Sequence, residues 1–241
     1  MIKLITECNN FINGFGYPYA FCGGYALELF LNKKLRPHSD IDVSVFEENK
    51  VDIVEFMLRK GWNVYEHKAD WIDNKIANSY LRLLLNPNDN RIAELNSVWV
   101  IKPGSTLFKL HLKPNEETIY DYEILNGEQL NFDFIEVIFN KQKDGNFIID
   151  SFTSQGKNIL RELEKAILYN NEGIPFIAPE VKLFIISHPA YLKSEYHKTK
   201  NLIDFESTIP FLPKENKEWL IYALETAYPD GHIRIEQIKN I

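Results

Sequence analysis

Apolar residues at Leu4, Ile5, Cys8, Phe11 and Ile12 recur with helical spacing and predict a helix over Ile2 to Phe15. Tyr19 to Cys22 reads as a short strand that runs into Gly23-Gly24. Tyr25 to Asn32 then predicts a mostly buried helix, because Ala26, Leu27, Leu29, Phe30 and Leu31 leave it little polar face. Ile41 to Phe46 alternates with period two and predicts a strand. Val51 to Lys60 is amphipathic at helical period and is stopped by Gly61.

Beyond Asn63 the pattern changes to short strand-like runs: Tyr80 to Leu85, Ser97 to Ile101, Leu107 to Leu112, Thr118 to Ile124, Phe132 to Phe139 and Asn146 to Ile149. Turn-rich stretches separate them, among them Asn86-Pro87-Asn88-Asp89-Asn90 and Lys143-Asp144-Gly145-Asn146. After residue 156 the period returns to helical, over Lys157 to Tyr169, Pro179 to Ser187, Lys200 to Phe205 and Asn216 to Tyr228. No internal repeat or low-complexity tract interrupts the chain. The expected architecture is α+β over residues 1–150, followed by a mainly helical region over 151–241, with a soft boundary at 151–156.

The 241 residues suffice for one large or two modest domains, and 45% apolar with 25% charged residues is ordinary globular composition. The longest apolar runs, such as Val181 to Ile186, are too short to span a bilayer, so no membrane partner is expected. Met1 to Glu7 lacks the features of a secretory signal, and Cys8 and Cys22 do not suggest a disulfide framework. A cytoplasmic location is therefore the expectation. The net charge of −7, from 27 basic and 34 acidic residues, argues against a nucleic-acid partner, which a basic stripe would favour. It suits a cationic small molecule better.

Candidate chemistry concentrates in Phe21 to Phe30 and Arg36 to Val43. A strand that ends in Gly23-Gly24 and opens into a helix exposes backbone N–H groups with no side chain in the way, a cradle suited to phosphate. Taken alone, the same pair is more often just a tight turn. Asp40 and Asp42 lie two apart on the expected strand, so their carboxylates project from one face, about 7 Å apart along the chain. That spacing lets both reach one metal ion, or a pair of ions about 4 Å apart. Mg²⁺ prefers one or two carboxylates plus substrate phosphates. An isolated Asp-x-Asp is otherwise only a solvent-facing strand edge.

The combination is more specific than its parts. Gly23-Gly24-Tyr25-Ala26, a helix, and Arg36-Pro37-His38-Ser39-Asp40-Ile41-Asp42-Val43, with fifteen residues between Gly24 and Asp40, resemble the nucleotidyltransferase superfamily related to DNA polymerase β. The closer likeness is to its aminoglycoside and lincosamide adenylyltransferase branch. Gly173 to Glu180, Lys198, Lys200 and Asp204-Phe205 resemble the C-terminal helical region of related members. The resemblance implies a nucleotidyltransferase-type mixed β-sheet flanked by helices. It also implies an enzyme that moves NMP, AMP by preference, from a nucleoside triphosphate to a hydroxyl of a small molecule such as an aminoglycoside-like compound. Mg²⁺ and ATP are the implied cofactor and substrate. Gly23, Gly24 and Ser39 would contact the triphosphate, and Asp40 and Asp42 would ligate the metal.

Active members also supply a third carboxylate from a later strand, as metal ligand or general base. Asp133 and Glu136 are the candidates. They stand three apart, so on a regular strand they face opposite sides unless a bulge intervenes. Glu136 is preferred because Glu-Val-Ile-Phe-Asn before the Asp-Gly turn is similar to the corresponding segment of relatives. Asp121 and Glu123 are the alternative. Arg36 can pair with either phosphate or a carboxylate, and His38 is expected to orient its loop by hydrogen bonding. Lys182, Lys198 and Lys200 could reach phosphates or simply be solvated. Trp62, Tyr65, Trp71 and Trp99 are expected in the core, with one of them available to stack on a base or sugar. Two other readings stand beside the first: a toxin-like nucleotidyltransferase that modifies a protein or tRNA, and a catalytically degenerate nucleotide-binding protein.

Overall fold

A computed structural model of the chain describes residues 3–72, 75–150 and 158–240, with the side chains of these except at 70–72, 75–78, 195 and 196. In chain order the elements are α1 (Lys3–Ile12), β1 (Tyr19–Phe21), α2 (Gly23–Leu31), β2 (Asp42–Phe46), α3 (Lys50–Arg59), β3 (Asn63–Ile72), β4 (Lys75–Leu84), β5 (Ser97–Ile101), β6 (Phe108–Leu112), β7 (Ile119–Ile124), β8 (Phe134–Lys143) and β9 (Asn146–Ile149). They continue as β10 (Ile159–Glu162), α4 (Leu163–Ala166), β11 (Ile167–Tyr169), β12 (Pro175–Ile177), α5 (Pro179–Ile186), α6 (Pro189–Lys193), α7 (Glu195–Thr208), α8 (Lys214–Ala227) and α9 (Ile233–Lys239). The fold is α+β. It comprises two compact units, one formed by residues 1–19 and 37–139 and the other by residues 20–36 and 140–241. The expected soft boundary at 151–156 lies outside the described residues.

In the first unit the strands neighbour one another in the order β2-β8-β5-β3-β4-β7-β6. From β8 onward every pairing is antiparallel. α1 buries Ile5, Cys8 and Ile12, and α3 buries Ile53, Val54, Phe56 and Met57 and packs on β2 and β3, with Phe11 meeting Phe56 edge-on at 5.9 Å. Phe11 and Phe132 close on Trp62 with ring centroids 4.8 and 5.0 Å away, a tilted geometry that rings favour over face-to-face stacking. Gly61, at φ +76°, ends α3 where its N–H meets the Leu58 carbonyl, a conformation other residues adopt only with strain. A second cluster gathers Tyr65, Leu81, Ile101, Leu107, Phe108 and Phe134.

β3 was not expected from the sequence. Its apolar period is broken by Glu66, which is buried and ringed by Lys68 (2.8 Å), Arg91 (3.1 Å) and Arg82 (3.8 Å). A carboxylate leaves water only when paired in this way, so the strand carries a charge where a pattern reading looks for a hydrophobe.

In the second unit β1 pairs in parallel with β12, and β12 antiparallel with β11. The end of β8, β9 and β10 form an antiparallel meander. Its first turn is Asp144-Gly145, with φ of 50° and 74°, the hairpin conformation that Asp-Gly favours. The helix expected over Lys157 to Tyr169 is a correction. Residues 159–169 form β10, one turn of α4, and β11. Ile159 to Glu162 ladder onto β9, and Ile167 to Tyr169 onto β12, so strand pairing overrides a helix-like apolar spacing. α5 packs against α2, α7 and α8. Its Glu180, 0% exposed, receives the Arg161 guanidinium on one carboxylate oxygen (2.5 Å) and the Asn216 amide on the other (2.7 Å).

Removing one member of a buried ion pair leaves the other charge uncompensated, which costs about 3–5 kcal/mol. Glu180→Ala is expected to lose stability on that scale in urea unfolding, whereas Glu218→Ala, which breaks an exposed pair with Lys214, shifts it by less than about 0.5 kcal/mol. Equal midpoints for the two variants would contradict the role given to Glu180.

Candidate functional site

The alternation of β2 decides where its carboxylates go. Ile41, Val43 and Val45 are buried, so Asp40 and Asp42 fall on the other parity and are half-buried. Asp42 is the first residue of the strand, and Asp40 lies two residues before it. Beside them, β8 buries Ile135 and Val137 and leaves Glu136 half-buried. The Glu136 N–H donates to the Ile41 carbonyl at 2.9 Å. Direct opposition of Glu136 and Ile41 would put both side chains on one face, which their burial contradicts. The bond and the burial parity together fit Glu136 on the Asp42 side, about one strand spacing of 4.8 Å away. Ser97 Oγ on β5 donates to Glu136 Oε1 at 3.0 Å and fixes its rotamer.

Asp133 is used differently. It precedes the strand and is 7% exposed, and its Oδ2 accepts both the N–H and the hydroxyl of Thr106, each at 2.9 Å. Its carboxylate is therefore a loop anchor. Asp121 and Glu123 are exposed on the opposite parity of β7 from Tyr120 and Tyr122, and Asp121 meets Lys113 at 3.1 Å.

One positioning residue escaped the sequence reading. Gln129, 2% exposed, accepts the N–H groups of Asp133 (2.9 Å) and Phe134 (2.8 Å) on its side-chain oxygen, and its own N–H donates to the His38 carbonyl (2.8 Å). It ties the start of β8 to the segment that leads into Asp40. A lone Gln in a turn-rich stretch carries no sequence signal for this. His38 is itself buried, and its backbone carbonyl takes the Gln129 N–H; Ser39 is half-buried.

Gly23, Gly24 and Arg36 belong to the second unit. Gly23, at φ +63°, turns the chain directly into α2, a conformation open to glycine and strained for other residues. At the far end Asn32 adopts the left-handed conformation, and the buried Glu28 accepts the N–H groups of Leu35 (2.7 Å) and Arg36 (3.2 Å). Of the two partners considered for Arg36, the structure provides a carboxylate. Its Nε and a terminal nitrogen bind Asp204, 1% exposed, at 2.8 and 2.9 Å in a bidentate pair. Lys182 is half-buried and Lys198 exposed. Trp62 and Tyr65 are buried as expected, and the Trp71 side chain lies outside those described.

Trp99 stands directly across from Glu136 in the β5–β8 register. Its indole stacks on the His67 ring with centroids 4.3 Å apart and planes 12° from parallel. His67 Nε2 meets the Tyr122 hydroxyl at 3.0 Å. Burial lowers the His67 pKa from its ordinary 6.5 and raises that of Tyr122.

Two structures of known proteins are similar to this chain. One is a lincosamide antibiotic adenylyltransferase, LnuA, in its lincomycin-bound crystal form: 12% identity, TM-score 0.47, covering 86% of this chain and 98% of that one. The other is the solution structure of the antibiotic-resistance factor ANT(2'')-Ia: 14% identity, TM-score 0.47, covering 94% and 92%. No family model and no curated protein sequence matches the chain.

Two expectations follow from this geometry. Gln129→Ala strands two buried N–H groups, each costing about 1–3 kcal/mol, while Glu136→Gln keeps the Ser97 contact and changes stability by less than about 1 kcal/mol. Denaturant unfolding of both variants checks this, and a Gln129→Ala protein as stable as wild type would remove the clamp. For His67 the folded state favours the neutral ring, so the unfolded chain binds more protons below pH 6.5. Its contribution is complete above that pH and is lost as pH falls, in the same direction as that of His188 and His232. His67→Phe should flatten part of the loss of stability between pH 7 and 5; an unchanged slope counts against it.

Proposed function

We propose that the chain is a Mg²⁺-dependent nucleotidyltransferase that moves NMP, AMP by preference, from a nucleoside triphosphate to a hydroxyl of a small molecule, an aminoglycoside-like compound being the model acceptor. The observation that carries this reading is the placement of Asp40, Asp42 and Glu136 on the same burial parity of adjoining strands. A fold seeking only stability has no reason to align three acids there, because like charges on neighbouring strands repel.

The chemistry of the donors suits the metal, although among the described residues no three acid, histidine or cysteine side chains are gathered into a preformed metal site. All three side chains offer carboxylate oxygens, the ligand class Mg²⁺ takes, and each is half-buried, so a hydrated ion carrying substrate phosphates can still approach. Asp40 meets no cation and accepts no hydrogen bond among the described residues. Asp40 and Asp42 would hold Mg²⁺, which when bound neutralises phosphate charge and clamps the oxygens of an in-line displacement. The chain's own work is positional. Glu136, held by Ser97, accepts the proton of the acceptor hydroxyl. The freed oxygen forms a bond to the α-phosphorus while the bond from that phosphorus to the bridging oxygen breaks, and pyrophosphate leaves. Ser39, next to Asp40 in the first unit, is assigned to the triphosphate, and Gly23 and Gly24 keep only the role that the resemblance implies. Arg36 acts through Asp204 as a fixed strut of the second unit.

Isothermal titration of ATP and GTP with Mg²⁺, repeated in EDTA and with Asp40→Asn, tests the reading. Metal-dependent binding with ATP preferred, weakened at least tenfold in the variant at unchanged thermal midpoint, is the expected result. Absence of triphosphate binding by the wild-type protein in Mg²⁺ would defeat it.

A further inference from the structure

The sheet row that contains Glu136 continues past it. In register across the strands stand Glu136 on β8, Trp99 on β5 and Tyr65 on β3, with His67 one same-face position further along β3. Tyr122 of β7 closes the row edge-on, 5.4 Å from Trp99 and 5.8 Å from His67, and hydrogen bonds to His67. Trp99, His67 and Tyr122 each remain half-buried, whereas Tyr65 and Phe134 on the same face are buried in the cluster against which Trp99 and Tyr122 pack. The Trp99 Nε1 donor has no acceptor among the described residues, a cost that a wall serving only as packing would be expected to remove.

Resting on the nucleotidyl-transfer reading, we propose that Trp99, His67 and Tyr122 form the acceptor shelf. They hold the ring of an amine-bearing, polyhydroxylated small molecule while one of its hydroxyls meets Glu136. The reach is right: one strand spacing, about 4.8 Å, separates Glu136 from Trp99, the span of a six-membered ring. The chemistry is complementary as well. Aromatic faces attract a ligand ammonium and cover a ring's apolar face, and the shelf borders the half-buried acids Glu136 and Asp42. A polyanion such as tRNA finds the opposite of what it needs here. The shelf thus sets which acceptor is used rather than whether nucleotide binds.

The test uses the full chain and kanamycin as probe, followed by intrinsic tryptophan fluorescence, with Mg²⁺-ATP titrated separately by calorimetry. Kanamycin is expected to perturb emission in the wild type. Its affinity should fall at least tenfold in Tyr122→Leu, the emission change should vanish in Trp99→Phe, and Tyr122→Phe should restore most of the affinity. Mg²⁺-ATP affinity and thermal midpoint should stay as in wild type throughout, which separates lost recognition from a lost fold. Kanamycin binding that Tyr122→Leu leaves intact, or none in the wild type, would overturn the shelf. Shelf-dependent kanamycin binding without Mg²⁺-ATP binding would keep the amine-binding site and remove nucleotidyl transfer.

Discussion

The juxtaposition of β2 and β8 is the constraint on which the candidate chemistry depends. One ladder bond, from the Glu136 N–H to the Ile41 carbonyl, expresses it. A slip of one residue in β8 would turn Glu136 into the core and expose Ile135 and Val137, since side chains alternate faces with period two. Exposing those two apolar side chains costs about 1.5–3 kcal/mol each, before the cost of burying a carboxylate is counted. The register is held at several points. Five residue pairs bind β8 to β5, the Phe139 N–H meets the Asn96 carbonyl, and Gln129 fixes where the strand begins. The same alternation that forms the core therefore presents the acids.

The second unit reaches its order by a different route. Glu28 holds the turn after α2, Asp204 holds Arg36, and Glu180 holds Arg161 and Asn216. Asp204 and Glu180 are buried carboxylates with both oxygens committed to donors, and the buried Glu28 commits Oε1 to two N–H groups. Such groups gain little net stability over a hydrophobic filling, but they are costly to misplace, so they select one arrangement among compact alternatives. This is why Arg36, a plausible phosphate ligand from sequence, is better understood as a strut. Its two donors already fit a carboxylate bidentately.

Much of this was legible in the residue pattern, and the failures share a cause. Alternation located β2, β5 and β7 to within a residue, because one face of each is more buried than the other and the pleat writes that difference into the sequence. The Asp-Gly turn and the stop at Gly61 were readable because positive φ favours those residues. β3 was missed because Glu66 replaces a hydrophobe with an ion cluster drawn from β3 itself, β4 and the loop after it. Residues 159–169 were misread as helix because only the edges of β9 and β12 reveal their pairing. At the site, the Asp40–Asp42 spacing was visible locally. The preference for Glu136 over Asp133 rested on likeness, and the contact that engages the Asp133 carboxylate, with Thr106, lies 27 residues away in sequence. The pairing of Trp99 with His67 and Tyr122 likewise depends on register between strands far apart in the chain.

The acids on β2 carry an electrostatic consequence that bears on what the protein needs. Two unit charges about 7 Å apart repel by about 2 kcal/mol at an effective dielectric of 20. A third carboxylate one strand away adds to this. Hydrophobic burial of Ile41, Val43 and Val45 on the opposite face outweighs the repulsion, so the strand forms regardless. The repulsion is nonetheless a standing cost of the folded state that the unfolded chain does not share to the same degree. A divalent cation bound there, as proposed, would remove it, and binding of the ion and completion of the fold would then favour one another. The aromatic shelf extends the logic outward. Its faces attract the same sign of charge as the acids beside it, and an amine-bearing acceptor satisfies both at once.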